Sequence, residues 1–129
     1  MSPPEIDVRV RPQYLPEASS PLDEVYGFAY TITIANAGDR PAQLISRHWL
    51  IIDSDGQHEE VRGLGVVGHQ PLLKPGEAFE YTSGCRLHTP TGTMEGTYHF
   101  VDEAGAPFDV PVPRFVLDAT GLSGPPNLP

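Results

Sequence analysis

Val61-Arg62-Gly63-Leu64-Gly65-Val66-Val67-Gly68-His69-Gln70-Pro71-Leu72-Leu73-Lys74-Pro75-Gly76 is the stretch whose reading separates an α/β fold from an all-β one. Gly63, Gly65 and Gly68 spell G-x-G-x-x-G, a pattern that binds dinucleotides when a strand precedes it and a helix follows, because the pyrophosphate rests on N–H groups at the helix N-terminus. No helix can follow here. Pro71 and Pro75 each remove a backbone donor, and Leu72-Leu73 is too short a run to carry a helical period. Gly63 and Gly68 also have the separation of a P-loop, but His69 and Gln70 stand where Lys and Ser or Thr would hold phosphate and magnesium. The segment is therefore read as a loop between strands.

The flanking sequence agrees. On the C-terminal side, Lys74-Pro75-Gly76-Glu77 suits a type II turn. Phe79, Tyr81 and Ser83 then alternate with Glu80 and Thr82, and Ser83-Gly84 suggests a bulge before Cys85 and Leu87. His88 to Gly92 reads as a loop. Met94, Gly96, Tyr98 and Phe100 share one face of the next strand, and Phe108, Val110 and Val112 face inward from the last, with Pro111 and Pro113 marking it as an edge or irregular strand. On the N-terminal side, Asp53-Ser54-Asp55-Gly56 is a hairpin signal followed by a short polar strand from Gln57 to Val61. Ala42 to Asp53 places Leu44, His48, Leu50 and Ile52 opposite Ile45, Arg47, Trp49 and Ile51. Val25 to Asn36 puts Tyr26, Phe28, Tyr30, Ile32 and Ile34 on one core face. Ile6 to Arg11 alternates as a first strand that Pro12 ends, with a loop from Gln13 to Asp23.

Seven short strands and no helix predict an antiparallel β-sandwich of immunoglobulin or fibronectin type III kind, with a small barrel as the alternative. The 129 residues are expected to form a single domain with its core at about 6–117, frayed residues 1–4 and a disordered tail from 118 to 129. Thirteen Gly and fifteen Pro, spread without a collagen period, fit strand punctuation and exclude a helical protein.

Eight basic against 17 acidic residues give a net charge of −9, which argues against nucleic acid or anionic lipid as a partner. The single Cys85 has no internal disulfide partner, no signal pattern opens the chain, and no apolar run approaches the roughly 20 residues that span a bilayer. A cytoplasmic location without membrane insertion is expected.

Ser46-Arg47-His48-Trp49, Asp53-x-x-Gly56, Val61-x-Gly63-x-Gly65-Val66-Val67-Gly68-x-Gln70-Pro71, Leu73-x-Pro75-Gly76, Phe79-x-Tyr81-x-Ser83-Gly84, Gly92-x-Met94-x-Gly96-x-Tyr98 and Pro113-x-Phe115-x-Leu117 together resemble the ApaG family over about Ile6 to Leu117. The resemblance implies a fibronectin type III-like sandwich. It also implies an association with cobalt resistance and magnesium efflux in bacteria and, from the domain's occurrence in eukaryotic adaptor proteins, a role in protein interaction. It carries over no catalytic residue.

Two candidate sites follow. Arg62, Gly63, Gly65, Gly68 and His69 would form an anion site if the loop amides make a concave nest for phosphate or nucleotide; otherwise the glycines serve positive φ and close strand approach. Arg47 and Trp49 would form an interaction site if Trp49 is left uncovered; otherwise Trp49 is core. His48, His58, His69, His88, His99 and Cys85 lack paired zinc spacing, and Asp53 with Asp55 reads as turn chemistry, so no metal or cofactor is expected. Ser83, Cys85, His88 and Asp102 are residue types from which a catalytic set is assembled only by geometry, and the expectation is a non-enzymatic binding module with an unidentified protein partner.

Overall fold

Val25–Asn36 forms β2, the strand around which the smaller sheet is built, and its alternation becomes burial: Phe28, Tyr30, Ile32 and Ile34 are all at most 6% exposed. The computed structural model describes residues 3–121, so most of the expected C-terminal tail lies outside the described residues. β2 pairs antiparallel with β1, Ile6–Ser20, on one side and with β6, Ala78–Leu87, on the other. The second sheet runs β4 (His58–Leu64), β3 (Ala42–Asp53), β7 (Thr91–Asp102), β8 (Pro107–Asp118), with the two-residue β5 (Leu72–Leu73) also on β3. All pairings are antiparallel, and the inner faces of the two sheets share one apolar core. The protein is thus the all-β sandwich expected from the sequence, with eight strands where seven were anticipated.

Four local expectations change. β1 does not stop at Pro12 but runs on to Ser20, followed by a 3-10 turn at Pro21–Asp23. As an edge strand β1 is bonded on one side only, so half its N–H groups serve no ladder and a proline there costs little; Pro16 falls where the register shifts between Leu15 and Ser20. At the N-terminus, Pro4 is buried rather than frayed. The anticipated bulge at Ser83-Gly84 is absent: β6 pairs with β2 in unbroken register, and Gly84 instead lets the Phe28 carbonyl approach within 3.0 Å of where a Cβ would stand.

The fourth change is in β3. A bulge at Ile45 shifts the pairing with β7 between Leu44 and Ser46, so strict alternation fails there. Ala42 and Leu44 face the core before the bulge, whereas Trp49 and Ile51 do so after it, and His48, Leu50 and Ile52 turn to the outer side. β8 is both an edge and irregular, as its prolines predict, with its own register shift opposite Met94 and Gly96. Trp49 closes the centre of the core, with edge-on contacts to Tyr30, Tyr98 and Phe115 at ring separations of 5.7, 5.9 and 6.1 Å.

Candidate functional site

The bulge in β3 shapes the glycine segment. β4 follows β3 from Ile52 opposite His58 to Ser46 opposite Leu64, and β5 resumes on Ala42 and Gln43, so one edge strand is interrupted where β3 is irregular. The Ile45 carbonyl, freed from the ladder, accepts the Gly65 N–H at 2.8 Å and the Gln70 side-chain amide at 2.9 Å, and the Leu44 N–H donates to the Pro71 carbonyl at 3.1 Å. Between those anchors the chain is thrown outward as a tight turn. The Val66 N–H donates to the His69 carbonyl at 2.8 Å and the His69 N–H to the Val66 carbonyl at 2.9 Å. Val67 at φ 43° and Gly68 at φ 83° give both central positions the left-handed backbone of a type I′ turn. The far end is tied down by Asn36, 2% exposed, whose side-chain amide donates to the Leu73 and Arg40 carbonyls at 3.0 and 2.7 Å.

Arg47 fixes the near end. It sits on the inner side of β3 directly across from Gly63, and its Nη1 donates to the carbonyls of Leu64 at 3.0 Å and Gly65 at 2.9 Å. A Cβ on Gly63 would lie 2.8 Å from that nitrogen, so the missing side chain is the space the guanidinium occupies. Gly65, at φ 62°, has its would-be Cβ 2.3 Å from the His69 carbonyl oxygen and admits no side chain without opening the turn.

These bonds bear on the anion-nest reading. The N–H groups of Gly65, Val66 and His69 are spent on carbonyls, and Arg47 also points its Nη1 at carbonyls. Gly63 lies in β4 while Gly65 and Gly68 flank or form the turn, and the expected side-chain partners point elsewhere. Arg62 lies on the outer side of β4, 3.4 Å from Glu60, whereas the His69 ring packs on Phe79 of the opposite sheet at 5.5 Å. The uncovered Arg47–Trp49 pair is corrected as well: the two residues share the inner side of β3, but Trp49 is 2% exposed beneath the second sheet and belongs to the core.

The segment displays apolar side chains that period-2 reading did not single out. Among the described residues the exposed large hydrophobics are Leu22, Leu64, Val67, Leu72 and Val116, and three of these five lie within the nine residues from Leu64 to Leu72. Leu64 is 74%, Leu72 57% and Val67 49% exposed. The available signal was Val67-Gly68 itself, because a type I′ turn favours Asn-Gly or Asp-Gly and a β-branched residue at positive φ is a conformational outlier.

The remaining candidates separate. Asp102, at the end of β7 in the sheet opposite Ser83 and Cys85, accepts the N–H groups of Ala106 and Ala104 and the Arg40 guanidinium, which together hold its carboxyl below the usual range. Burial, with the Glu59 carboxylate nearby, pushes the Cys85 thiol up to about 11, which disfavours the thiolate a nucleophile needs. No hydrogen bond among the described residues joins Ser83 or Cys85 to His88. His48 and His99 face the carboxylates of Glu60 and Asp109 at 3.4 and 2.7 Å, and no group of three or more His, Cys, Asp or Glu among the described residues is placed to hold a metal ion. Among the same residues, no helix is long and apolar enough to cross a membrane.

Residues 16–102 match the ApaG domain. The chain is 63% identical over 115 residues to Protein ApaG of Acidovorax sp. (strain JS42), covering 89% of this chain and 84% of that one. It is 59% identical over 117 residues to Protein ApaG of Bordetella pertussis, covering 91% and 89%. The crystal structure of a Bordetella pertussis protein named ApaA superposes with a TM-score of 0.89 at 58% identity, covering 92% of this chain and 96% of that one. A portion of Bacteroides uniformis β-glucuronidase 2, 12% of its length, shares the fold alone, with a TM-score of 0.51 at 14% identity.

Proposed function

This chain belongs to the ApaG domain family, and on that premise we propose that it is a non-enzymatic protein-interaction module that presents the Leu64–Leu72 segment to a partner protein. One observation carries the reading. Val67 occupies a left-handed turn position that Asn or Gly would fill without strain, and it leaves 49% of its surface in water, so neither the conformation nor the exposure serves stability. A strained, exposed apolar tip, flanked by Leu64 and Leu72 and braced by Arg47, Ile45 and Asn36, has the form of a preorganised interaction surface. A net charge of −9 sets long-range repulsion against self-association, so the partner proposed is a different protein. The link to magnesium and cobalt homeostasis implied by the family resemblance is then indirect, through that partner. The reading is tested by isolating a protein captured on the immobilised chain and measuring its affinity in purified form for wild type and for the Leu64→Asp/Leu72→Asp double variant. A loss of about 100-fold or more with folding intact is expected for interface anchors. Equal affinity would place the interaction elsewhere and overturn the assignment.

A further inference from the structure

The edges of the two sheets are β1 and β6 in the smaller and β4 and β8 in the larger, and all but β6 are blunted. β1 carries Pro12 and Pro16 with a register shift, and β8 carries Pro107, Pro111 and Pro113 with another. β4 is seven residues long, charged at Glu59, Glu60 and Arg62, and breaks off where β3 bulges. β6 has none of these devices. Its ten residues hold no proline and pair with β2 without a shift, so its free edge is a template on which another extended chain can form a ladder.

The hydrogen bonds at the end of β2 fix which groups of β6 face outward. The Asn36 N–H donates to the Glu77 carbonyl at 2.9 Å and its carbonyl accepts the Gly76 N–H at 3.0 Å, while the Ala37 N–H turns the other way to the Glu5 carbonyl at 2.8 Å. Even-numbered residues of β2 therefore bond toward β6, and the register makes Phe79, Tyr81, Ser83 and Cys85 their partners. Glu80, Thr82, Gly84 and Arg86 point their N–H and C=O groups away from β2, and no hydrogen bond among the described residues reaches these backbone groups.

The side chains give this edge two unequal faces. On the inner side, Phe79 and Cys85 of β6 and Val61 of β4 pack on the core but stay half-buried, because the smaller sheet stops at β6. On the outer side, Glu80 accepts from Thr33 and Arg11 at 2.9 and 3.5 Å, and the Thr82 hydroxyl meets that of Thr31 at 2.8 Å. Arg86 is exposed and has no partner among the described residues.

We propose that β6 takes up an extended segment of another protein as a further strand of the smaller sheet, a segment with apolar side chains at alternate positions and an acidic residue among the polar ones. Main-chain bonds to Glu80, Thr82, Gly84 and Arg86 hold it, its apolar side chains cover Phe79, Cys85 and Val61, and its carboxylate lies beside Arg86. This edge belongs to the smaller sheet, whereas Leu64 and Leu72 belong to the larger one, so this proposal and the Leu64–Leu72 surface can fail separately.

The test is an NMR titration of the full chain with short peptides that alternate Val with Thr and carry Asp at one of the Thr positions. The amides of Glu80, Thr82, Gly84 and Arg86 should exchange rapidly in the free chain and become protected on binding. N-methylation of one alternate set of peptide residues should weaken binding about tenfold or more and of the other set leave it unchanged; loss at the Thr positions marks an antiparallel strand and loss at the Val positions a parallel one. Thr82→Pro removes an outward N–H without touching the ladder to β2, so it should weaken binding similarly while the amides between β2 and β6 stay protected. Arg86→Glu should reverse the preference from the Asp peptides to a Lys-bearing one, and Leu64→Asp/Leu72→Asp should bind the peptides as wild type does. Equal losses from both N-methylated sets, no saturable protection on β6, or protection of the same amides by self-association of the chain alone would overturn the assignment.

Discussion

Replacing Val67 by Asn should stabilise the protein while weakening its interaction. At φ 43° an L-residue with a branched Cβ holds a backbone conformation that costs roughly 1–2 kcal/mol, most of which Asn recovers through its local hydrogen bonding. Against this stands the lost apolar contact. Val67 is 49% exposed, so about half of a valine's burial, roughly 1 kcal/mol, goes with it. The two nearly offset, and the net gain of Val67→Asn over wild type is expected at about 0.5 kcal/mol. Val67→Ala loses the same contact but keeps the backbone strain, so it isolates the conformational term, and Asn should exceed Ala by about 1 kcal/mol. Urea unfolding reads this as a midpoint about 0.5 M higher for Asn than for Ala at equal slope. If the two variants unfold together, Val67 carries no turn strain, and the case that its identity is set by binding falls with it.

Other substitutions probe the frame that holds the turn. Gly65→Ala adds left-handed strain and pushes a Cβ to 2.3 Å from the His69 carbonyl, breaking the paired Val66–His69 bonds. It should cost about 3 kcal/mol, against about 1 kcal/mol for Gly68→Ala, where no atom lies within 4 Å of the added Cβ; equal losses in urea unfolding would contradict the close approach. The buried Tyr81–Tyr98 hydroxyl pair at 2.6 Å is disfavoured from ionising by desolvation first, which raises Tyr98 and takes Tyr81 up to about 12. Because the folded state holds these protons more tightly than the unfolded one, stability is full below pH 10 and falls as pH rises from there through about 12, and the double Phe variant should lose that alkaline slope in pH-dependent unfolding. Cys85, pushed up to about 11, should alkylate far more slowly at pH 8 in the folded chain than in urea; equal rates would show an open thiol. Trp49→Ala should cost roughly 3–5 kcal/mol as a core truncation, whereas a merely superficial Trp49 would leave the unfolding midpoint nearly unchanged.

The parts of the fold that could be read from sequence are those where one physical rule acts alone. The bounds of β2 and β3 are legible because long alternating runs end in turn residues, and the Lys74–Glu77 turn has the expected Gly76 at φ 84° with Glu77 N–H to Lys74 carbonyl at 2.9 Å. Alternation says nothing of a bulge, and the slip at Ile45 puts Leu44 and His48 on opposite sides of β3 although their spacing is even. Pro12 reads as a strand end because sequence alone does not show that β1 is an edge, where a missing donor costs little. β5, at two residues, is too short for any period. At the site, the glycines were visible but the atoms they serve were not: Gly63 makes room for a guanidinium sixteen residues earlier in the chain, and Gly65 for a carbonyl across its own turn. The exposed apolar tip was spelled by Val67-Gly68, where turn chemistry and residue type disagree, and such a disagreement points to a function outside folding.

The most direct test of the interaction surface is a photo-crosslinking residue placed at position 67 in one variant and at Leu22, fully exposed at 100% but distant in sequence from the glycine segment, in another. After irradiation in the native cell, one defined adduct is expected from position 67 that vanishes with Leu64→Asp/Leu72→Asp and is absent from position 22. The same adduct from both positions, or one that survives the double substitution, would contradict it.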